Sequence, residues 1–324
     1  MPNAIRIHKT GGPEVLTWEN IDLPAPAAGE VRLRQTVCGL NYIDVYGRTG
    51  LYPVGDLPAV LGMEAVGTVE AVGDGVEGLS AGDRVAYPMH LGAYTEVRNI
   101  NASLLVPLPA NIEDETAAAM MLKGLTAHYL LFRTYPVKRG DTILMYAAAG
   151  GVGLILTQWA KALGVSVIGC VGSEEKAELA RANGCEHIIM YRNENIPERV
   201  RDITNGEGVA AAYDSIGKAT FMDSLDSLRP FGVLATYGNA SGPVDPFSPA
   251  ILAPKGSLYV TRPTLATHIS TRELLLEGAN RLFDVVSSGQ VKININQRFA
   301  LADCADAHRT LENRETSGST VLTI

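Results

Sequence analysis

A chain of 324 residues, 46% hydrophobic and 19% charged, has the composition of a globular protein with a sizeable core and the length of two domains. Its formal net charge of -8 repels phosphate backbones and argues against nucleic acid as the main partner. The most apolar run, TILMYAAAGGVGLIL, is short and broken by glycines, so no membrane span is expected.

Residues 1–122 carry short β-like runs separated by Gly and Pro, such as EVRLRQTV (30–37), AVGTVEAVG (65–73) and DRVAYP (83–88). They predict a small, partly closed β domain. The period then changes. IEDETAAAMMLKGLTAHYLLF (112–132) predicts a helix with carboxylates at its N-terminus. From about residue 140, strands alternate with helices: DTILMYA, GVGLILTQWAKALG, VSVIGCV, SEEKAELARANG, EHIIMY, IPERVRDITNGEG, VAAAYDS, GVLATYG and SLYVTR. This alternation predicts a doubly wound parallel sheet with helices on both faces. The tail breaks the pattern with one amphipathic helix, TRELLLEGANRLFDVVSSG, then FALADCADAHRTLENR and a last strand, STVLTI. It is expected to return to the N-terminal domain. The expected domains are therefore 1–123 with 268–324, and 124–267. Cys38, Cys170, Cys185 and Cys304 form no C-x-x-C pair and sit among apolar or small residues, which suits free thiols in a reducing cytoplasm. The N-terminus lacks the apolar core of a signal peptide.

AAAGGVG (147–153) falls between a strand and a helix, where a dinucleotide-binding turn belongs. Against G-x-G-x-x-G it supplies Ala148, Gly150 and Gly153. Gly150 would admit a pyrophosphate to the backbone, and Gly153 would let the helix pack close to the strand. The helix start at Gly151 and Val152 offers free N–H groups to an anion. A plain tight turn is the competing reading. NAD sites usually carry an acid at the end of the second strand, for the ribose 2′-hydroxyl. Here Gly172 and Ser173 stand there, followed by Lys176, and Tyr191 ends the third strand. A hydroxyl and a cation suit the 2′-phosphate of NADPH. Against this stand Glu174 and Glu175, unless they serve the helix dipole and point outward. The rival reading of Lys176 is a solvated surface lysine.

VCGLNYIDVYGRTGLYP (37–53), LGMEAVGTVEAVG (61–73), AAAGGVG, YDSIG (213–217), YGN (237–239) and SLYVTRP (257–263) together resemble the medium-chain dehydrogenase/reductase superfamily along nearly the whole chain. Within it the chain resembles the zinc-free NADPH:quinone oxidoreductases, the zeta-crystallin-like group. The resemblance implies a GroES-like β-rich catalytic domain and a Rossmann domain. Zinc-dependent members carry Gly-x-Cys-x-x-Asp at the first ligand; here Asn41 takes the Cys position, between Gly39 and Asp44. Met63 replaces the His of Gly-His-Glu. No Cys stands in AAMMLKG, where the third ligand should fall, and the four-Cys structural zinc lobe is absent. An amide and a thioether are poor zinc ligands, so no metal is expected.

Without a Lewis acid, an unactivated alcohol is a hard substrate, whereas a quinone is already electron-poor. The resemblance puts Asn41, Tyr46 and Tyr52 beside the nicotinamide. Asn41 is read as a possible donor to a quinone oxygen, and the tyrosines as stacking or donating groups or as ordinary packing in a loop. It extends the cofactor contacts to Thr126, Gly150, Gly151, Val152, Gly153, Ser173, Lys176, Tyr191, Tyr237, Gly238, Asn239 and Arg314. It also implies a homodimer joined through the edge strand near 257–263. A zinc-free enoyl or alkenal reductase acting on a conjugated C=C is the alternative enzyme. A non-enzymatic NADPH-binding or RNA-binding role is the third reading, with net acidity against RNA.

Overall fold

The computed structural model describes all 324 residues, Met1–Ile324. The chain forms two compact units. One comprises Met1–Lys123, Ile269–Ser287 and Ile293–Ile324; the other comprises Gly124–His268 and Ser288–Lys292. No helix is long and apolar enough to cross a membrane.

The first unit is built on the long strand Glu30–Leu40, whose alternating burial turns Val31, Leu33 and Val37 inward. It pairs antiparallel with Glu64–Val72 along one edge. Along the other edge it is shared: Val97–Asn101 pairs with its first half, and Ser319–Thr323 with its second. The C-terminal strand thus returns to the N-terminal sheet, and it brings the parallel strand Ile295–Ala300 with it. Arg84–Pro88 and then Val106–Pro107 complete the sheet beyond Glu64–Val72. A smaller sheet places Asn3–Ile7 between Thr17–Asn20 and Ala59–Val60. Between them lies a core including Ile5, Leu33, Leu40, Leu61, Tyr94 and Leu322. Burying each such aliphatic side chain contributes roughly 1.5–3 kcal/mol.

The second unit has a six-stranded sheet, parallel throughout, in the order His187–Met190, Ser166–Val171, Thr142–Tyr146, Val209–Asp214, Leu228–Thr236 and Tyr259–Thr261. Helices Gly151–Ala162, Glu174–Ala182, Ile196–Ile203 and Phe221–Ser227 connect the first five in sequence. The strands are almost wholly apolar because both faces are covered. Tyr259–Thr261 is an edge strand, and Tyr259 is 59% exposed.

Two local differences from expectation have physical causes. The helix read over 112–132 is α-helical only over Asp114–Tyr129 and widens into a π turn at Leu130–Thr134. There the Leu130 carbonyl accepts from the Tyr213 hydroxyl at 3.2 Å and from the Tyr135 N–H at 3.3 Å, so it needs no continuing helix. The segment after Asn41, read as a loop, is a helix, Tyr42–Thr49, closed by Gly50 in the left-handed region.

Candidate active site

In the second unit, the helix Gly151–Ala162 starts at the tip of Thr142–Tyr146, with Gly150 as its N-cap. A Cβ on Gly153 would lie 2.5 Å from the Ala147 carbonyl oxygen and 2.6 Å from that of Ala148. Only glycine lets the helix approach the strand this closely. At Gly150 a Cβ would come no nearer than 3.2 Å to the protein, so this glycine leaves an open backbone where an anion can approach the helix start.

The neighbouring strand end carries Gly172 and Ser173, with Lys176 in the helix that follows and Tyr191 over Gly172. Ser173 N-caps the helix Glu174–Ala182, its Oγ accepting from the Lys176 N–H at 3.4 Å. Tyr191 leans over Gly172, where a Cβ would lie 2.5 Å from the tyrosine oxygen. Lys176 is half-buried rather than fully solvated. Glu174 points along the helix to Arg181, at 2.8 Å, and away from this cluster.

Tyr237, Gly238 and Asn239 follow the strand Leu228–Thr236 and pack on the turn after Asp214. The Tyr237 N–H donates to the Asp214 carbonyl at 2.8 Å, and Gly238 lies against the Ser215 carbonyl. Asp214 holds that turn: Oδ1 accepts from the Ile216 and Gly217 N–H groups, and Oδ2 from the Thr220 and Ser224 hydroxyls. Thr126 is buried in the helix Asp114–Tyr129.

In the first unit, Asn41 caps the helix Tyr42–Thr49 in a capping box with Asp44. The Asn41 backbone N–H donates to Asp44 Oδ2 at 2.8 Å. Its side-chain Nδ2 donates to Glu64 Oε1 at 2.8 Å and reaches the Gly39 carbonyl only at 3.5 Å. Glu64 has no exposed surface. Its Oε1 also accepts from Lys123 Nζ at 3.0 Å, and its Oε2 from the Leu122 N–H at 2.6 Å. Gly39 makes this approach possible, because a Cβ there would lie 2.2 Å from Glu64 Oε1. A carboxylate only accepts, so the Asn41 NH2 must face it. Its N–H groups face Glu64 and, at the longer distance, Gly39.

Behind this lies a second buried array. Asp44 Oδ2 also accepts from the Tyr94 hydroxyl at 2.7 Å, while Oδ1 has no partner. Tyr94 Oη is 3.5 Å from His308 Nε2, and His308 Nδ1 is 3.2 Å from Arg48 Nη1. Arg48 closes the array with a bidentate pair to Glu312, both contacts at 2.8 Å. Burial raises the Asp44 carboxyl to about 7, opposed by the hydrogen bonds from Tyr94 and Asn41; Glu64 raises it slightly and Lys123 lowers it. Burial, with the Arg48 charge, lowers His308 to about 3.

Tyr46 is buried, with its ring centroid 5.7 Å from Tyr42 and 5.2 Å, edge-on, from Tyr52. The three rings form one cluster on the helix and the residues after it. Arg314 is exposed, follows the helix Cys304–Glu312 with φ 62°, and exerts its charge on Tyr42. Sequence reasoning missed Glu64, Lys123, Tyr94, His308 and Asp214. For two of them a signal existed: Glu64 and Lys123 are lone charges in the apolar runs LGMEAVG and AAAMMLKGL.

Asp44 yields a pH prediction. Between its usual value of 3.8 and about 7 the folded chain keeps a proton that the unfolded chain has lost. Its contribution to stability therefore falls as pH rises through that window. His308 acts oppositely, its contribution being lost as pH falls from 6.5 towards 3. Asp44→Asn removes the first effect and leaves the second. Thermal midpoints of variant and parent should show a difference that grows in the variant's favour from pH 4 to pH 7 and then levels. A difference independent of pH would contradict the assignment.

Residues 151–277 match the family model for zinc-binding dehydrogenase, and residues 27–134 that for the alcohol dehydrogenase GroES-like domain. The metal named in the first description does not fit these residues. The Cys38 thiol donates to the Ala93 carbonyl at 2.9 Å, and burial pushes it well above the ordinary thiol range. The Lys123 cation sits on the buried carboxylate beside Asn41, and no three His, Cys, Asp or Glu side chains gather to hold an ion. A quinone oxidoreductase from Pseudomonas aeruginosa is 51% identical over 99% of both chains. A 2-haloacrylate reductase from Burkholderia is 46% identical, again over 99% of both. The crystal structure of Escherichia coli quinone oxidoreductase complexed with NADPH superposes with a TM-score of 0.97, at 47% identity, over 99% of this chain and 100% of that one. With such identity along its whole length, the chain belongs to the quinone oxidoreductase family of the medium-chain dehydrogenase/reductase superfamily.

Proposed function

We propose that this chain uses NADPH to reduce quinones by hydride transfer, without a metal. The observation that carries the choice of cofactor is the cluster at the end of the second strand. Ser173 caps the helix that carries Lys176, Tyr191 leans over Gly172, neither Gly172 nor Ser173 is an acid, and Glu174 pairs with Arg181. A hydroxyl, a cation and a phenol suit a 2′-phosphate, which a strand-end carboxylate would repel. The NADPH carried by the Escherichia coli structure supports the same reading. We assign the pyrophosphate to Gly150, Gly151, Val152 and Gly153, with Thr126, Tyr237, Gly238, Asn239 and Arg314 as further cofactor contacts. Asn41, Tyr46 and Tyr52 are assigned to the reacting end.

When bound, NADPH supplies the hydride. The protein's part is to bind, orient and exclude water. We assign the tyrosine cluster to stacking against the planar ring of the substrate. A quinone needs little activation, since its reduction restores an aromatic ring. One specific finding favours a second reading, reduction of a conjugated C=C: the 2-haloacrylate reductase is nearly as similar as the quinone oxidoreductases. The exposed edge strand Tyr259–Thr261 supports a homodimer joined edge to edge.

Two measurements test this. Turnover of 1,4-benzoquinone and 9,10-phenanthrenequinone should exceed that of crotonaldehyde and longer 2-alkenals; enal turnover far above quinone turnover would replace the first reading with the second. Lys176→Ala should weaken NADPH by about tenfold or more, the worth of one charge-assisted contact, and leave NADH little changed. Equal weakening of both would remove Lys176 from the 2′-phosphate.

A further inference from the structure

Lys123 forms an ion pair with Glu64, and its side chain is only 8% exposed. Its one hydrogen-bond partner is Glu64 Oε1. An ammonium has three donors, so two N–H groups remain. Asn41 Nδ2 ends on the same carboxylate oxygen, so Lys123 and Asn41 stand within two hydrogen-bond lengths of each other. The Asn41 donors face Glu64 and Gly39, whereas two of the three on Lys123 have no partner. Glu64 accepts from three groups and is committed. Of the groups gathered here, Lys123 alone combines positive charge with donors to spare.

We propose that Lys123 is a catalytic residue: its ammonium binds the carbonyl oxygen of the substrate and protonates it as the substrate is reduced. This rests on the reading that the chain reduces a conjugated carbonyl compound with NADPH. The acceptor gains a hydride, two electrons with one hydrogen, from the reduced dinucleotide, which is oxidised by two electrons. Negative charge then settles on the acceptor's oxygen. An N–H bond of Lys123 breaks and an O–H bond forms there. The amine left behind takes a proton from solvent. A fixed cation in a site poor in water stabilises such a charge more than water does, without reorganising. The ammonium thereby does what a Lewis-acid metal would do. Glu64 and Asn41 are positioning residues in this arrangement: Glu64 holds Nζ in place, and Asn41 holds Glu64.

The test is single-turnover oxidation of NADPH by 1,4-benzoquinone, with NADPH affinity measured separately by fluorescence titration. Lys123→Met should slow the step by about 100-fold or more, the usual worth of a placed acid, with NADPH affinity little changed. Lys123→Arg keeps charge and donors and should recover part of the rate. Lys123→Met leaves Glu64 buried and unpaired, which endangers folding, so the double variant Glu64→Gln/Lys123→Met is needed as well. It removes both charges and should be folded yet as slow as the single variant. A folded double variant as fast as the parent would overturn the proposal, because Lys123 would then serve only to neutralise Glu64. Parent-like turnover by Lys123→Met would overturn it too, leaving the proposed reaction intact. A parent inactive on every quinone and enal would overturn the reaction and this proposal together.

Discussion

The first unit depends on one fully buried carboxylate. Removing a charge from water costs several kcal/mol unless it is paired and hydrogen-bonded. Glu64 is satisfied on every side: an ammonium and an amide share one oxygen, and a backbone N–H takes the other. These three donors come from separated parts of the chain, the cap at Asn41 and the helix residues Leu122 and Lys123. The carboxylate therefore ties the strand Glu30–Leu40, the helix it leads into and the helix Asp114–Tyr129 to one point. Gly39 keeps the space clear. Removing one partner alone should harm this unit more than removing a pair, since the first leaves a buried charge uncompensated.

The same arrangement fits a zinc ion poorly. Asn41 and Met63 are not simply ligands lost. The space has been rebuilt around an internal ion pair that a divalent cation could enter only against the charge of Lys123. The nearby thiol, Cys38, is hydrogen-bonded and held in its neutral form. Asp44, three residues after Asn41, is held through Tyr94, His308 and Arg48 to Glu312, so the C-terminal helix stiffens the same turn.

Local patterns are legible in this sequence, and long-range ones are not. The alternation after residue 140, the glycine turn and the Ser173 cap are legible because each is written within a few residues. The doubly wound sheet follows from them. The helix Tyr42–Thr49 was not legible: NYIDVYGRT mixes aromatic, β-branched and glycine residues, all indifferent helix formers, and its stability comes from the cap and from Arg48. Zinc's poor prospects were readable at Asn41 and Met63 by residue type alone. What replaced it was not, because Glu64 and Lys123 are 59 positions apart and Arg48 and Glu312 are 264 apart. The partner of the Asn41 NH2 was hidden for that reason, since the sequence does not place Glu64 beside it.

In the proposed mechanism a buried ion pair, rather than a metal, supplies the electrostatics of this site. Metal analysis of the purified protein, joined to quinone turnover before and after dialysis against 1,10-phenanthroline, tests it most directly. The expected result is no stoichiometric zinc and unchanged turnover. One zinc per chain, lost on chelation together with activity and restored with it, would contradict the account.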